Sequence, residues 1–175
     1  TRKESSAASD VYKRQGTLMA GLLKGTASIS EILEHGDLGI ATLTGSNGEV
    51  IFVDGKAYHA NEYKEFVELK GDELTPYATV TKFTADTTYQ TKDKSSEDVF
   101  EEIKKNMLSE NLFSAVKISG KFKNMHVRMM PGQEPPYTRL IDSARRQPEQ
   151  TETYVKGTVV GLSLIHISEP TRLLS

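Results

Sequence analysis

GIATLTGSNGEVIFVDGKAYHA, residues 39–60, is the stretch whose reading decides the fold. Three short apolar runs, residues 39–44, 49–53 and 56–60, are punctuated by Gly45-Ser46-Asn47-Gly48 and by Asp54-Gly55. Asn-Gly and Asp-Gly between apolar runs predict tight hairpins, because both turn residues tolerate positive φ. Two hairpins in succession make an antiparallel meander. Residues 65–69 and 77–83 carry two further strand patterns, the second beginning after Pro76.

Upstream, Leu18, Leu22, Ile29, Ile32 and Leu33 recur at helical spacing over residues 17–35. Gly21 and Gly25 weaken the middle of that helix. A break near Gly25 is expected, with Ser28 or Ser30 capping a second short helix that ends at Gly36-Asp37. Downstream, residues 96–112 read as a helix. Ser95 and Asp98 have capping-box spacing, and the acidic residues Glu97, Asp98, Glu101 and Glu102 precede Lys104 and Lys105, as the helix dipole favours. Val99, Phe100, Ile103 and Met107 form the stripe expected to bury against the sheet. Residues 113–119 and 122–130 flank Gly120-Lys121 as another hairpin. A Pro-rich loop, residues 131–136, leads to a short helix over 138–147 stopped by Pro148, and residues 155–161 form a last strand. The expected class is α/β of the α+β type: a mixed, mostly antiparallel sheet with a few packed helices.

The charge balance, 22 Lys+Arg against 24 Asp+Glu in 175 residues, gives no electrostatic case for a nucleic-acid or membrane-surface partner. There is no cysteine, which excludes disulfides and thiolate zinc sites and suits either the cytoplasm or secretion. No apolar run approaches the roughly 20 residues of a membrane span. A cytoplasmic location is expected, with secretion left open because the chain starts at Thr1 and not Met. Two end segments lack any period: residues 1–15 and residues 163–175. Their stretches SSAASDVYKRQ and SLIHISEPTR resemble translated adapter or linker sequence. They are expected to be non-native and to pack poorly around a domain of residues 16–162. The alternative is a disordered arm and a frayed tail.

Motifs for nucleophilic elbows, phosphate loops and dinucleotide binding are missing. His35, His59, His126 and His166 show no metal-ligand spacing, and each reads as structural or solvated. Two residues stand out. Glu49 is an acid at the mouth of the Asn-Gly turn. Arg128 is flanked by Met125, Val127, Met129 and Met130. An arginine in that setting calls for a carboxylate partner, a substrate anion, or an edge position from which it reaches solvent.

Five blocks then carry a resemblance. His35-Gly36-Asp37-Leu38-Gly39-Ile40-Ala41-Thr42-Leu43 resembles HGDxGIGTF, followed by Asn47-Gly48-Glu49 and Val53-Asp54-Gly55-Lys56-Ala57-Tyr58. Asn111-Leu112-Phe113-Ser114-Ala115-Val116-Lys117-Ile118-Ser119-Gly120 resembles NLFYAIKIDG. Val127-Arg128 with Gln133-Glu134-Pro135-Pro136-Tyr137 resembles TR…QEKPY. Gln147-Pro148 with Val155-Lys156-Gly157-Thr158-Val159-Val160-Gly161-Leu162 resembles QPxFxFxNVKGTIVGF. In this order they are similar to the α-acetolactate decarboxylases. Ala41, Leu43, Ser119 and Pro135 depart from the family pattern.

The resemblance implies a carboxy-lyase that converts the small molecule 2-acetolactate to acetoin, in acetoin and butanediol biosynthesis. It implies zinc held by three histidines from an H-x-H pair and a Gly-Gly-His, all downstream of the strand matched at residues 155–162. No metal ligand is therefore assigned in this chain. The expectation is that this chain holds no zinc and is inactive, while its intact parent uses zinc. Position for position, the family's acid falls on Glu49 and its arginine on Arg128, both catalytic; Thr42 and Arg128 are the substrate-binding positions. A homodimer is the assembly considered. The competing reading is a non-catalytic β domain that binds a small anion.

Overall fold

The computed structural model describes residues 20–106 and 114–163. In chain order the elements are β1 (Ala27–Ser28), α1 (Ile29–His35), β2 (Leu38–Leu43), β3 (Asn47–Val53), β4 (Lys56–Ala60), β5 (Phe66–Glu68), β6 (Leu74–Thr75), β7 (Tyr77–Thr81), α2 (Ser96–Asn106), β8 (Ser114–Arg128), α3 (Leu140–Ala144) and β9 (Glu149–Ser163). The fold is α+β, and every described strand pair is antiparallel. The predicted meander forms: β2 to β5 follow one another, and β7 returns beside β2, giving the order β5-β4-β3-β2-β7.

Alternation along β3 sorts its side chains. Val50 and Phe52 are fully buried and join Ala41, Ala57 and Ile29 in the core, with Ile32 and Leu33 of α1 packed against them. Glu49, Ile51 and Val53 point to the other face and are half-buried. Helix α1 starts as its sequence asks. The Glu31 amide donates to Ser28 Oγ at 3.2 Å, and the Ser28 amide donates to the Glu31 carboxylate at 2.7 Å.

Among the described residues the helix expected upstream of Gly25 does not form. The segment after Gly21 is extended, and its backbone holds the β2–β3 turn. The Gly45 amide donates to Leu23 O at 2.8 Å, and the Gly25 amide to Thr44 Oγ1 at 3.2 Å. Two glycines in one helical turn left the helix too weak to compete with those bonds. Leu18 lies outside the described residues.

Helix α2 has the predicted box, with the Asp98 amide donating to Ser95 Oγ at 3.1 Å. Its stripe is less covered than expected: Val99, Phe100 and Ile103 are half-buried and no residue of α2 is buried. Met107 lies outside the described residues. α3 is shorter than the expected helix over 138–147.

The hairpin expected at Gly120-Lys121 does not form. β8 runs straight through it, with Gly120 opposite Gly157 and Lys121 opposite Lys156. One register holds from Ser114↔Ser163 to Arg128↔Glu149, and β9 is correspondingly longer than the expected strand over 155–161. Gly120 does not take positive φ, so the chain has no reason to turn there. β9 lies against β2 and β3, and Lys117 Nζ meets Asp54 Oδ1 at 2.5 Å. Ser163, counted with the poorly packing tail, instead closes β9 opposite Ser114. The rest of that tail and residues 1–15 lie outside the described residues.

Candidate active site

The β2–β3 turn is not a two-residue Asn-Gly hairpin. Its left-handed residues are Gly45 (φ 74°), Ser46 (φ 48°) and Gly48 (φ 65°), while Asn47 sits at φ −72°. Two distant segments grip it through three bonds. Leu23 O accepts from Gly45, the Gln133 amide donates to Gly45 O at 2.9 Å, and the Gly48 amide donates to Met130 O at 2.9 Å. A Cβ at Gly45 would collide with Gln133 O, and one at Gly48 with Ala60 O, so both positions need glycine twice over.

This turn fixes Glu49. Ala41 pairs with Val50, which puts Thr42 and Glu49 one step nearer the turn on the face away from α1. Thr42 is buried and its hydroxyl donates to Gly48 O at 2.8 Å. That commits the hydroxyl proton and leaves the oxygen only as an acceptor for a ligand. Glu49 pairs with Ala60 on its other side. Among the described residues its carboxyl has neither a hydrogen-bond donor nor a cation. Burial alone pushes it up to about 7 from the ordinary 4.5.

A raised carboxyl makes stability depend on pH in a known direction. Between 4.5 and about 7 the folded chain binds more protons than the unfolded chain, so stability falls as pH rises through that window. The contribution is complete below 4.5 and gone above about 7; its size is at most about 3 kcal/mol. Glu49→Gln, which cannot ionise, should match the wild type at pH 4.5 and exceed it at pH 8. Urea unfolding at both pH values checks this. An equal gap at both would mean that the carboxylate is solvated.

Arg128 ends β8 opposite Glu149, the first residue of β9. The carboxylate partner that its apolar flanks called for is Glu149: Arg128 Nε lies 3.1 Å from Glu149 Oε1. His126 Nε2 lies 3.4 Å from the other oxygen of Glu149, and His126 Nδ1 lies 3.0 Å from Thr151 Oγ1. The chain then enters Met129 and Met130, both buried, and Met130 O is the acceptor for Gly48. Arg128 is thus two residues from a backbone bond to the residue preceding Glu49. No direct contact joins the two side chains among the described residues.

A family model described as alpha-acetolactate decarboxylase matches residues 12–170. The chain belongs to the α-acetolactate decarboxylase family. It is 45% identical over 152 residues to the alpha-acetolactate decarboxylase of Lactococcus lactis subsp. lactis, covering 86% of this chain and 64% of that relative. A crystal structure from Staphylococcus aureus, of a protein of unknown function similar to alpha-acetolactate decarboxylase, is 70% identical with a TM-score of 0.82 over 84% of this chain and 63% of that one. The alpha-acetolactate decarboxylase of Bacillus subtilis strain 168 is 33% identical with a TM-score of 0.80 over 83% of this chain and 63% of that one. The chain therefore spans just under two thirds of the length of these family members.

Among the described residues the histidines of this family member are dispersed. His35 is exposed at the end of α1. His59 is buried, and its Nε2–H donates to Asn47 O at 2.9 Å, so it braces the turn from below. His126 belongs to the Glu149 group, and His166 lies outside the described residues. Among the described residues no three His, Cys, Asp or Glu side chains gather as a metal group. Sequence reasoning missed Glu149. Its closeness to Arg128 follows only from the β8–β9 register, which no local pattern announces.

Proposed function

We propose that this chain contributes the proton donor and the carboxylate anchor to the conversion of 2-acetolactate into acetoin. The observation that carries the reading is Glu49. The pKa of a half-buried carboxyl with no donor or cation beside it among the described residues, next to a turn held by two distant segments, is pushed up to about 7. That is what a general acid needs.

The chemistry fits the two residues. Loss of CO2 from a β-keto acid breaks the bond between the carboxylate carbon and its neighbour. The electron pair moves onto the ketone, leaving an enediolate that must take a proton at carbon. Arg128 would hold the substrate carboxylate and set the plane of the breaking bond. Glu49 would deliver the proton. The Thr42 hydroxyl oxygen would accept from the substrate hydroxyl.

The family resemblance implies zinc, and the described residues do not fit it: they lack a three-ligand group, and the ring nitrogens of His59 and His126 that face neighbours are engaged. No step is assigned to a metal here. Zinc sites take about three protein ligands. The 175-residue chain alone is accordingly expected to lose zinc on gel filtration and to yield no acetoin. Metal analysis of the eluted chain and a colorimetric acetoin assay check both. Stoichiometric retention of zinc, or turnover, would sink this part of the reading. The protein at the relatives' full length should produce acetoin from 2-acetolactate; its failure to do so would sink the whole.

A further inference from the structure

Glu149 and Arg128 meet in an unusual way for a surface ion pair. The carboxylate sits at the Nε edge of the guanidinium, 3.1 Å away. Nε is the closest approach of the ion pair, and among the described residues no hydrogen bond is made by any of the three guanidinium nitrogens. A guanidinium has two edges that can grip a carboxylate, and here the ion-pair contact lies on the Nε side. Glu149 is itself held. His126 Nε2 stands 3.4 Å from its second oxygen, and Thr151, the cross-strand partner of His126, bonds Nδ1 of that ring at 3.0 Å. Four side chains, two from each strand, thus share one face of the ribbon.

We propose that Glu149 is a positioning residue: it takes the inner edge of Arg128 so that the terminal fork is aimed at the carboxylate of a small 2-hydroxy-3-keto acid. The inference rests on the assignment of Arg128 to that carboxylate. A long flexible side chain loses rotamer freedom when it docks a ligand. Glu149 removes that freedom in advance, and the β8–β9 register removes its own. A pair this exposed contributes little to stability, so its effect should fall on the substrate and not on the fold.

The test is a double-mutant cycle in kcat/KM on the protein at the relatives' full length. Glu149→Gln should lower kcat/KM about fivefold, with KM rising more than kcat falls. In the Arg128→Ala background the same change should do nothing beyond about twofold, because a residue that acts through another has no effect once the other is gone. A loss that repeats in full without Arg128, a Glu149→Gln enzyme within about twofold of wild type, or a loss confined to kcat would each overturn the inference while leaving Arg128 in place. If Arg128→Ala alone leaves kcat/KM unchanged, the assignment of Arg128 falls, and this inference with it.

Discussion

Glu49→Gln is expected to cut kcat by about 10²–10⁴-fold in the protein at its relatives' full length, with KM little changed. Glutamine keeps the shape and most of the polarity of the side chain. It cannot release a proton to carbon. The substitution therefore removes an interaction made only as the enediolate is protonated, and such losses fall on kcat. The wild-type rate should also carry the titration of this carboxyl. Activity that depends on its protonated form declines as pH rises through about 7, and the variant's residual rate should lack that limb. A pH–rate profile separates the two. Near-wild-type kcat in Glu49→Gln would make the buried carboxyl structural, and the acid would have to be sought elsewhere.

Arg128 should show a different signature. Arg128→Ala removes a charge-assisted grip contributing about 3 kcal/mol, a loss of roughly 100-fold in kcat/KM. Arg128→Lys keeps the charge but not the planar fork, and both KM and kcat should suffer. The pairing with Glu149 sharpens this expectation. A lysine would be drawn to Glu149 as a point charge and would have no second edge to present. Steady-state kinetics on both variants decide the matter. If lysine restores full activity, the position needs only a positive charge, and the geometric argument fails.

The parts of the fold that were legible beforehand are those whose partners lie close in sequence. Lys56–Ala60 was bounded correctly because Asp54-Gly55 supplies the turn chemistry beside it, with φ of 53° and 75°. The Ser28 cap was legible because its partner, Glu31, lies three residues away. The failures are long-range. Gly120-Lys121 looked like a turn because the true partner of β8 begins only at Glu149, beyond a loop and a helix. The expected helix before Gly25 lost to backbone bonds with Thr44 and Gly45.

The candidate site divides the same way. Glu49 and Arg128 could be named from residue type and setting. That Glu49 is half-buried without a partner among the described residues, and that Arg128 pairs with Glu149, required the packed structure. The backbones of Glu49 and Arg128 converge through Gly48 and Met130, while the side chain of Arg128 is occupied by its strand neighbour.

The turn that holds Glu49 also sets when the site can come into being. Its clamps from Met130 and Gln133 close loops of more than eighty residues. Loops of that length cost entropy that must be met before the bond rewards it, and such contacts form late. The β3–β4 hairpin needs only its own Asp-Gly turn and can form early. Glu49 can therefore stand on a formed strand while still in water, with an ordinary acidity. Its pKa is pushed up toward about 7 only by burial, which the isolated hairpin does not supply. In this protein, tertiary packing around β3 is the step that arms the acid.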